Sequence, residues 1–185
     1  MTVFFQKLSN VFNALRGHDV NKSPVLFYAF DHGGLNVGYV TQPRLLDLAI
    51  RGGNHTDVQM LLDLGAKPNL TTHFSGPATN EAVRTGDIAM VERIVKGGGD
   101  VNAPNKAGSM SLHEAVALYD KDAALAIIDY LLEKGARLDM KNSVDCTPAE
   151  WARQLQRPEA LARLEAAEAA RAAVPKNAQP KPPRA

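Results

Sequence analysis

The sequence predicts a mostly α-helical solenoid, built from short helix-turn-helix units that stack on one another. Three segments of the chain, residues 45–69, 78–102 and 111–139, align with one another. Alanine recurs in them at steps of 33 residues, at Ala49, Ala82 and Ala115. Glycine recurs near their ends, and Gly65 and Gly98 are also 33 residues apart. A period of this length is typical of a repeat protein, in which each period is one supersecondary unit.

Each unit is predicted to contain two short antiparallel helices followed by a finger loop. Relative to the closing glycine, the second helix carries apolar residues at constant offsets, which form one helical stripe. These residues are Val58, Leu61 and Leu62, then Val91, Ile94 and Val95, then Ile128, Leu131 and Leu132. One unit alone cannot bury such a stripe, so the units must stack. The closing glycines are expected to end the second helices in a left-handed conformation.

One spacing departs from the period. Gly98 and Gly135 are 37 residues apart, and the four additional residues lie around residues 118–122. We expect them to lengthen the turn between the two helices of the third unit, leaving both helices in register.

These features resemble the ankyrin repeat. The segment SLHEA at residues 111–115 is similar to the TPLHxA opening of that family, and GAKPN at 65–69 and GGDVN at 98–102 are similar to its GADVN closing. TPAEWA at residues 147–152 resembles a fourth opening. The resemblance covers about residues 43–165 and implies about four repeats. The first unit lacks the Thr-Pro opening, and in the second Ala78 and Thr79 stand where Pro-Leu is usual.

The chain is predicted to have three parts. Residues 1–43 contain a cap helix at residues 2–16 and an enlarged finger, and residues 44–173 form the repeat array. A second cap helix at residues 158–173 ends the array, with Leu161 and Leu164 towards the stack and Glu165, Glu168 and Arg171 towards water. Residues 174–185, rich in Pro and Lys, lack the apolar groups needed for order. In the enlarged finger, residues 24–40 favour a β-hairpin around Gly33 and Gly34, with a short helix at residues 24–30 as the alternative.

Composition excludes several classes of protein. The formal net charge is +1, and the basic excess after residue 156 is too small for a nucleic-acid-binding face. Cys146 is the single cysteine, so an intrachain disulfide and a multi-thiolate metal site are excluded. With neither a signal peptide nor a membrane span in the sequence, we expect a cytoplasmic protein without stable membrane insertion, while secretion by a route without a signal remains open. Frequent Ala and Arg favour a bacterial origin.

No catalytic residue, metal site or cofactor is predicted. His113 occupies the histidine position of the ankyrin opening, where the resemblance implies a structural ring that binds backbone groups. Cys146 precedes a predicted helix start, but the sequence places no histidine beside it. The three consecutive glycines at residues 97–99 lack the strand-then-helix context and the lysine of a phosphate-binding loop, so they are interpreted as a helix stop.

The resemblance implies a concave recognition surface, formed by the exposed side of the first helices and by the fingertips. The first-helix positions that it assigns to this surface are Leu48, Arg51, Glu81, Arg84, Thr85, Glu114, Leu118 and Trp151. Phe74 and Met110 are fingertip candidates, and Tyr119 lies in the four-residue insertion. Arg51 and Arg84 share one repeat position, and Glu81 and Glu114 share another, so we predict adjacent basic and acidic rows.

The function predicted from these features is a non-catalytic module that is monomeric when free and binds one protein partner. An adaptor, a host-directed effector and an immunity-type neutraliser of a toxin or enzyme all fit this description. Two other classes remain as alternatives. One is an enzyme that uses Cys146 or a groove carboxylate such as Glu114. The other is a membrane-peripheral protein, because the helix at residues 2–16 carries Phe4, Phe5 and Phe12.

Overall fold

The computed structural model describes residues 42–63, 65–71 and 76–173. Within these ranges the chain forms helices and no strand, as the sequence predicts. The helices are α1 (Gln42–Arg51), α2 (His55–Asp63), α3 (Ala78–Arg84), α4 (Ile88–Lys96), α5 (Ser111–Val116), α6 (Lys121–Glu133), α7 (Pro148–Gln154) and α8 (Pro158–Ala173). The predicted N-terminal cap helix, the hairpin or helix at residues 24–40, Phe74 and the predicted C-terminal tail lie outside the described residues.

The helices form two layers. The first helices of the units, α1, α3, α5 and α7, pack side by side in chain order, and the second helices, α2, α4, α6 and α8, form the other layer. The alanines of the 33-residue period are buried where the first helices pack together. Ala152 extends this row into α7 and is fully buried too. A methyl group at each of these positions lets neighbouring helices approach closely, so the predicted stack is confirmed.

The apolar stripe of the second helices forms the rest of the core. Six of its nine predicted residues are buried, and the three at the last position, Leu62, Val95 and Leu132, are partly buried and pack against the core. The prediction of one stripe that continues through successive units is therefore confirmed.

The closing glycines have the predicted left-handed backbone. Their φ angles are 86° at Gly65, 94° at Gly98 and 82° at Gly135. Each glycine N–H donates to the carbonyl oxygen three residues earlier, over 2.8–3.1 Å, and the next N–H donates to the carbonyl five residues before it, over 2.9 Å. This pair of bonds is the Schellman motif, which satisfies carbonyl groups at a helix end.

Asparagines at the 33-residue step join successive repeats. The side-chain amide of Asn69 donates to the Gly98 carbonyl oxygen over 2.9 Å, and its oxygen accepts from the Asp100 N–H over 2.7 Å. Asn102 makes the same contacts one repeat later, donating to the carbonyl of Gly135 and accepting from the N–H of Arg137. The repeated closing asparagine thus joins neighbouring units by two hydrogen bonds.

The prediction that the four additional residues lengthen the turn of the third unit is wrong. Helix α6 has 13 residues where α4 has nine, whereas the turns that precede them differ by one residue. The insertion therefore adds about one helical turn to the start of α6. The Asp120 carboxylate caps this start by accepting from the N–H groups of Asp122 and Ala123. A capped helical turn satisfies the backbone groups that a longer loop would expose.

Helix α8 covers the end of the array. Leu164 is buried and Leu161 packs against the core, as predicted, and Glu165 and Glu168 are exposed. The prediction that Arg171 points to water is wrong, because its guanidinium donates to the Ala136 carbonyl oxygen over 2.8 Å. This contact joins α8 to the loop that follows α6.

A buried hydroxyl marks the departure of the second repeat from the ankyrin pattern. Thr79 is fully buried in α3, and its Oγ1 has no hydrogen-bond partner among the described residues. Burying a hydroxyl without a partner costs free energy, about 1–3 kcal/mol. The apolar residue that the ankyrin opening favours here would avoid this cost.

Replacing Thr79 by valine is expected to raise the free energy of unfolding by about 1 kcal/mol, because valine keeps the shape and removes the unpaired hydroxyl. Urea unfolding followed by circular dichroism measures the change. Thr85→Val is the matched control, because the Thr85 hydroxyl donates to the Ala82 carbonyl oxygen over 2.7 Å. Replacing this hydroxyl should therefore not raise the free energy of unfolding. A less stable Thr79→Val protein would show that this hydroxyl is satisfied in solution.

Candidate partner-binding surface

The exposed side of α1, α3, α5 and α7 is called the first-helix face below. Equivalent positions on successive helices form two rows along it. One row is Leu48, Glu81, Glu114 and Trp151, and the other is Arg51, Arg84, Ala117 and Gln154. Because α1, α3, α5 and α7 pack in this order, each row runs across the repeats.

The charged residues of the two rows form one continuous network. Arg51 Nη2 lies 3.1 Å from Glu81 Oε2, and its Nε lies 2.8 Å from Asp47 Oδ1. Arg84 Nη1 lies 3.8 Å from Glu81 Oε1, and its Nε lies 3.8 Å from Glu114 Oε2. The basic and acidic rows predicted from the sequence are thus adjacent, and their members alternate in space across three repeats.

The carboxylates lie beneath the guanidinium groups. The Glu81 side chain is 8% exposed, whereas those of Arg51 and Arg84 are 52% and 57% exposed. The prediction that Glu81 is an exposed position is therefore wrong. Glu81 is buried because both arginines contact its carboxylate, which also accepts from the N–H of Gly76. A buried carboxylate is tolerated only when it is paired in this way.

Burial and pairing act in opposite directions on the pKa of Glu114. Desolvation raises the pKa of Glu114, and the nearby Arg84 charge and the Asn105 amide lower it in part. Asn105 Nδ2 donates to Glu114 Oε1 over 2.6 Å. For Arg51, the hydrogen bond to Asp47 is the main cause of a raised pKa. The network consequently favours the charged form of Arg51.

The fingers at residues 105–109 and 142–146 share one hydrogen-bond pattern. Asn105 Oδ1 accepts from the N–H groups two and four residues later, and Asn142 Oδ1 does the same. The fourth residue of each finger has a left-handed φ, 65° at Gly108 and 61° at Asp145. This pattern was not predicted, although the two asparagines are separated by the same 37-residue step as Gly98 and Gly135. The shared pattern gives each finger a defined shape.

Met110 is buried, so its predicted place among the fingertips is wrong. It is the N-cap residue of α5, at the point where the finger returns to the array. Its N–H donates to the Nδ1 atom of His113, which holds Met110 against the core rather than at the tip.

The other predicted partner-binding residues differ in exposure. Tyr119 is 95% exposed, and Leu48 and Thr85 are exposed too. Leu118 and Trp151 are partly buried and pack against the core. The structure adds two exposed apolar residues that the sequence analysis did not select, Val144 at the tip of a finger and Leu155 after α7. Leu155 lies 37 residues after Leu118, the step that also separates Glu114 from Trp151, so this spacing could have identified it. Val144 has Ala107 at the equivalent position, which gives no such signal.

His113 is buried and has a structural role, as the resemblance implied. Its Nδ1 accepts from Met110 N–H at 3.3 Å, so its Nε2 carries the hydrogen and donates to the Cys146 carbonyl oxygen at 2.9 Å. Desolvation by burial lowers the pKa of His113, and the contact with the Cys146 carbonyl opposes this in part. The neutral ring therefore joins the third repeat to the fourth. In the second repeat, Asn80 makes the equivalent contact by donating to the Ser109 carbonyl oxygen.

Cys146 is buried and engaged in local contacts. Its Sγ lies 3.1 Å from Gln154 Nε2 and 3.5 Å from the Val144 carbonyl oxygen. His113 contacts the backbone of Cys146, not its thiol. In the part of the chain that the structure describes, no group of three His, Cys, Asp or Glu residues could hold a metal ion. None of the described helices is both long and apolar enough to cross a membrane.

A two-layer stack of helical hairpins, closed by left-handed glycines and joined by fingers, defines a helical repeat protein of the ankyrin class. The structure is similar to the crystal structure of the ankyrin-repeat domain of Bcl-3, a member of the IkappaB protein family, with a TM-score of 0.58 and 27% sequence identity. The similarity covers 65% of this chain and 50% of that one. The described residues thus form an ankyrin-repeat array.

Two curated proteins share sequence with part of the chain. Palmitoyltransferase Hip14 of Drosophila melanogaster is 38% identical over 80 residues, which are 43% of this chain and 12% of that protein. Potassium channel AKT1 of Arabidopsis thaliana is 32% identical over 82 residues, which are 44% of this chain and 9% of that protein. The chain therefore matches only a small part of each relative. No protein-family model matches the chain. The ankyrin-repeat fold supports protein–protein interaction and is typically non-catalytic.

Proposed function

We propose that this chain is a non-catalytic module that binds a protein partner along the first-helix face and the fingers. The observation that carries the proposal is the alignment of equivalent positions from successive repeats on one accessible face. This face presents the exposed side chains of Leu48, Arg51 and Arg84. Charged and apolar groups along one extended face suit a protein surface better than a small ligand.

The network beneath this face supports the proposal. Ordering long side chains on binding costs about 0.5–1.5 kcal/mol each. Arg51 is already held by Asp47 and Glu81, and Arg84 lies between Glu81 and Glu114. Much of the ordering of Arg51 is thus complete before a partner arrives, which favours recognition by this face over recognition by unpaired surface charges.

The contacts of the reactive side chains support the non-catalytic part of the proposal. Both ring nitrogens of His113 are engaged with backbone groups, so this ring is not free to act as a base for Cys146. Glu114, the groove carboxylate, is engaged with Asn105 and Arg84. An activated nucleophile needs a base within hydrogen-bond reach, and these contacts do not supply one.

Affinity capture from the native cell tests this proposal with the full chain. The variant Arg51→Glu/Arg84→Glu reverses two charges of the first-helix face, and it is expected to lower the recovery of the specific partner about tenfold or more. The matched control, Lys96→Glu/Lys134→Glu, reverses two exposed lysines at the ends of α4 and α6 in the other layer and should leave recovery unchanged.

Undiminished recovery of the same partner by the first-helix variant would refute the assignment of this face. Circular dichroism of both variants establishes that they are folded. The variant Arg51→Gln/Arg84→Gln removes the two charges without placing new carboxylates beside Glu81.

An adaptor, an effector and a neutraliser would all use this face. A tight, stoichiometric complex with the product of a neighbouring gene would favour the neutraliser.

A further inference from the structure

We infer that the protein partner places a carboxylate, from an Asp or Glu side chain, against the guanidinium group of Arg84 in the middle of the first-helix face. This inference rests on the function proposed above and specifies the chemistry of the partner at one position. It follows from the accessibility of the charges, the contacts of Arg84, and the small residue beside it.

The accessible layer of the network is cationic. Arg51 and Arg84 are more than half exposed, while Glu81 and Glu114 lie beneath them at 8% and 18% exposure. A partner that approaches this face therefore meets guanidinium groups first. A cationic partner would have to displace the arginines to reach these carboxylates, and Asn105 already occupies one oxygen of Glu114.

Arg84 retains unused donors. Arg51 makes two short hydrogen bonds, to Asp47 at 2.8 Å and to Glu81 at 3.1 Å. In contrast, the nitrogens of Arg84 lie 3.8 Å from its two carboxylate partners, beyond hydrogen-bond distance, and its side chain has no hydrogen bond to another described residue. A guanidinium group has five N–H donors in a planar fork that fits a carboxylate in a bidentate manner. Arg84 is therefore the arginine of this face with the larger unfilled capacity.

The next position in the row leaves room for such a group. Ala117 follows Arg51 and Arg84 at the same repeat position, and it is exposed at the end of α5. Because α3 and α5 pack side by side, the small side chain of Ala117 leaves Arg84 uncovered on that side. An arginine at residue 117 would have continued the row and covered this space.

Selection of peptides on the intact chain tests the inference. A library of random 12-residue peptides displayed on phage is selected against the immobilised full-length protein, and selected peptides are synthesised for affinity measurement. We expect enrichment of Asp or Glu at one position of the selected peptides. Affinity should fall about tenfold when that residue is changed to Asn or Gln, and should fall similarly on Arg84→Gln. Arg153→Gln is the matched control, since Arg153 contacts Glu165 of α8 instead.

The variant Leu48→Asp separates failure of the inference from failure of the proposed function. Peptides that lose binding to Leu48→Asp but have no acidic preference, or bind Arg84→Gln as well as wild type, would overturn the inference and leave the first-helix face as the binding surface. If neither Leu48→Asp nor Arg84→Gln weakens the binding of any selected peptide, both the inference and the proposed function are wrong. Enrichment of Lys or Arg on this face would also overturn the inference.

Discussion

Replacing His113 by alanine is expected to lower the free energy of unfolding by about 3 kcal/mol. The substitution removes two hydrogen bonds at a buried site. It leaves the Met110 N–H without a partner and leaves the Cys146 carbonyl oxygen with only the Asn142 N–H. Each unsatisfied buried group costs about 1–3 kcal/mol, and the space left by the ring adds to the loss. Urea unfolding at neutral pH, analysed by linear extrapolation, measures the change. A loss below about 1 kcal/mol would show that this contact is not what joins the third and fourth repeats.

Asparagine at the same position provides the control, because Asn80 makes the equivalent contact to the Ser109 carbonyl oxygen one repeat earlier. We expect His113→Asn to retain part of the stability that alanine loses. The two variants together distinguish the hydrogen bond from the filling of space.

The pH dependence gives an independent check on His113. Burial lowers the pKa of His113 in the folded protein, so the unfolded chain binds a proton more readily than the folded one. The stability contributed by the neutral ring is thus complete above its ordinary value of about 6.5 and is lost as the pH falls from there through the folded pKa. One such group gives a slope of at most about 1.4 kcal/mol per pH unit. Below pH 6.5 the wild type should lose stability more steeply than His113→Asn, and equal slopes would contradict the assignment.

Replacing Gly99 by alanine is expected to lower the free energy of unfolding by about 2–3 kcal/mol. A Cβ atom at this position would lie 2.6 Å from Thr79 Oγ1 and 2.9 Å from the Ile94 carbonyl oxygen. The Ile94 carbonyl belongs to the end of α4 and accepts the Gly99 N–H, so it cannot move without breaking the helix end. Overpacking of this kind typically costs 1–3 kcal/mol.

Gly98→Ala is the matched control in the same glycine run. A Cβ atom on Gly98 would meet nothing within 4 Å, but its φ of 94° is unfavourable for any residue with a side chain. We expect a loss of about 1 kcal/mol from this backbone conformation alone. Urea unfolding of the two variants in parallel tests this order of stability. A Gly98→Ala protein less stable than Gly99→Ala would refute the steric explanation.

The repeat period made the stack predictable from sequence, whereas exposure along the first-helix face was predicted less well. The alanine row and the second-helix stripe recur at constant offsets, so one comparison of the chain with itself locates the core. Glu81 and Met110 were assigned to the surface because their repeat positions are exposed in the family. Exposure at a single position depends on which neighbours cover it, here two arginines over Glu81 and the return of the finger over Met110.

The sequence alone determined the class of fold, the register of the repeats and the glycines that end the second helices, because each follows from a periodic pattern of side-chain size or backbone freedom. The tertiary structure decided how the charges combine. It placed Arg51 and Arg84 over the buried carboxylate of Glu81, turned the insertion into an added turn of α6 and brought Arg171 of α8 to the carbonyl of Ala136. The Arg51–Glu81 and Arg84–Glu114 contacts join residues 30 positions apart, and the Arg171–Ala136 contact joins residues 35 apart. Their geometry is set by packing between repeats, which no local pattern records.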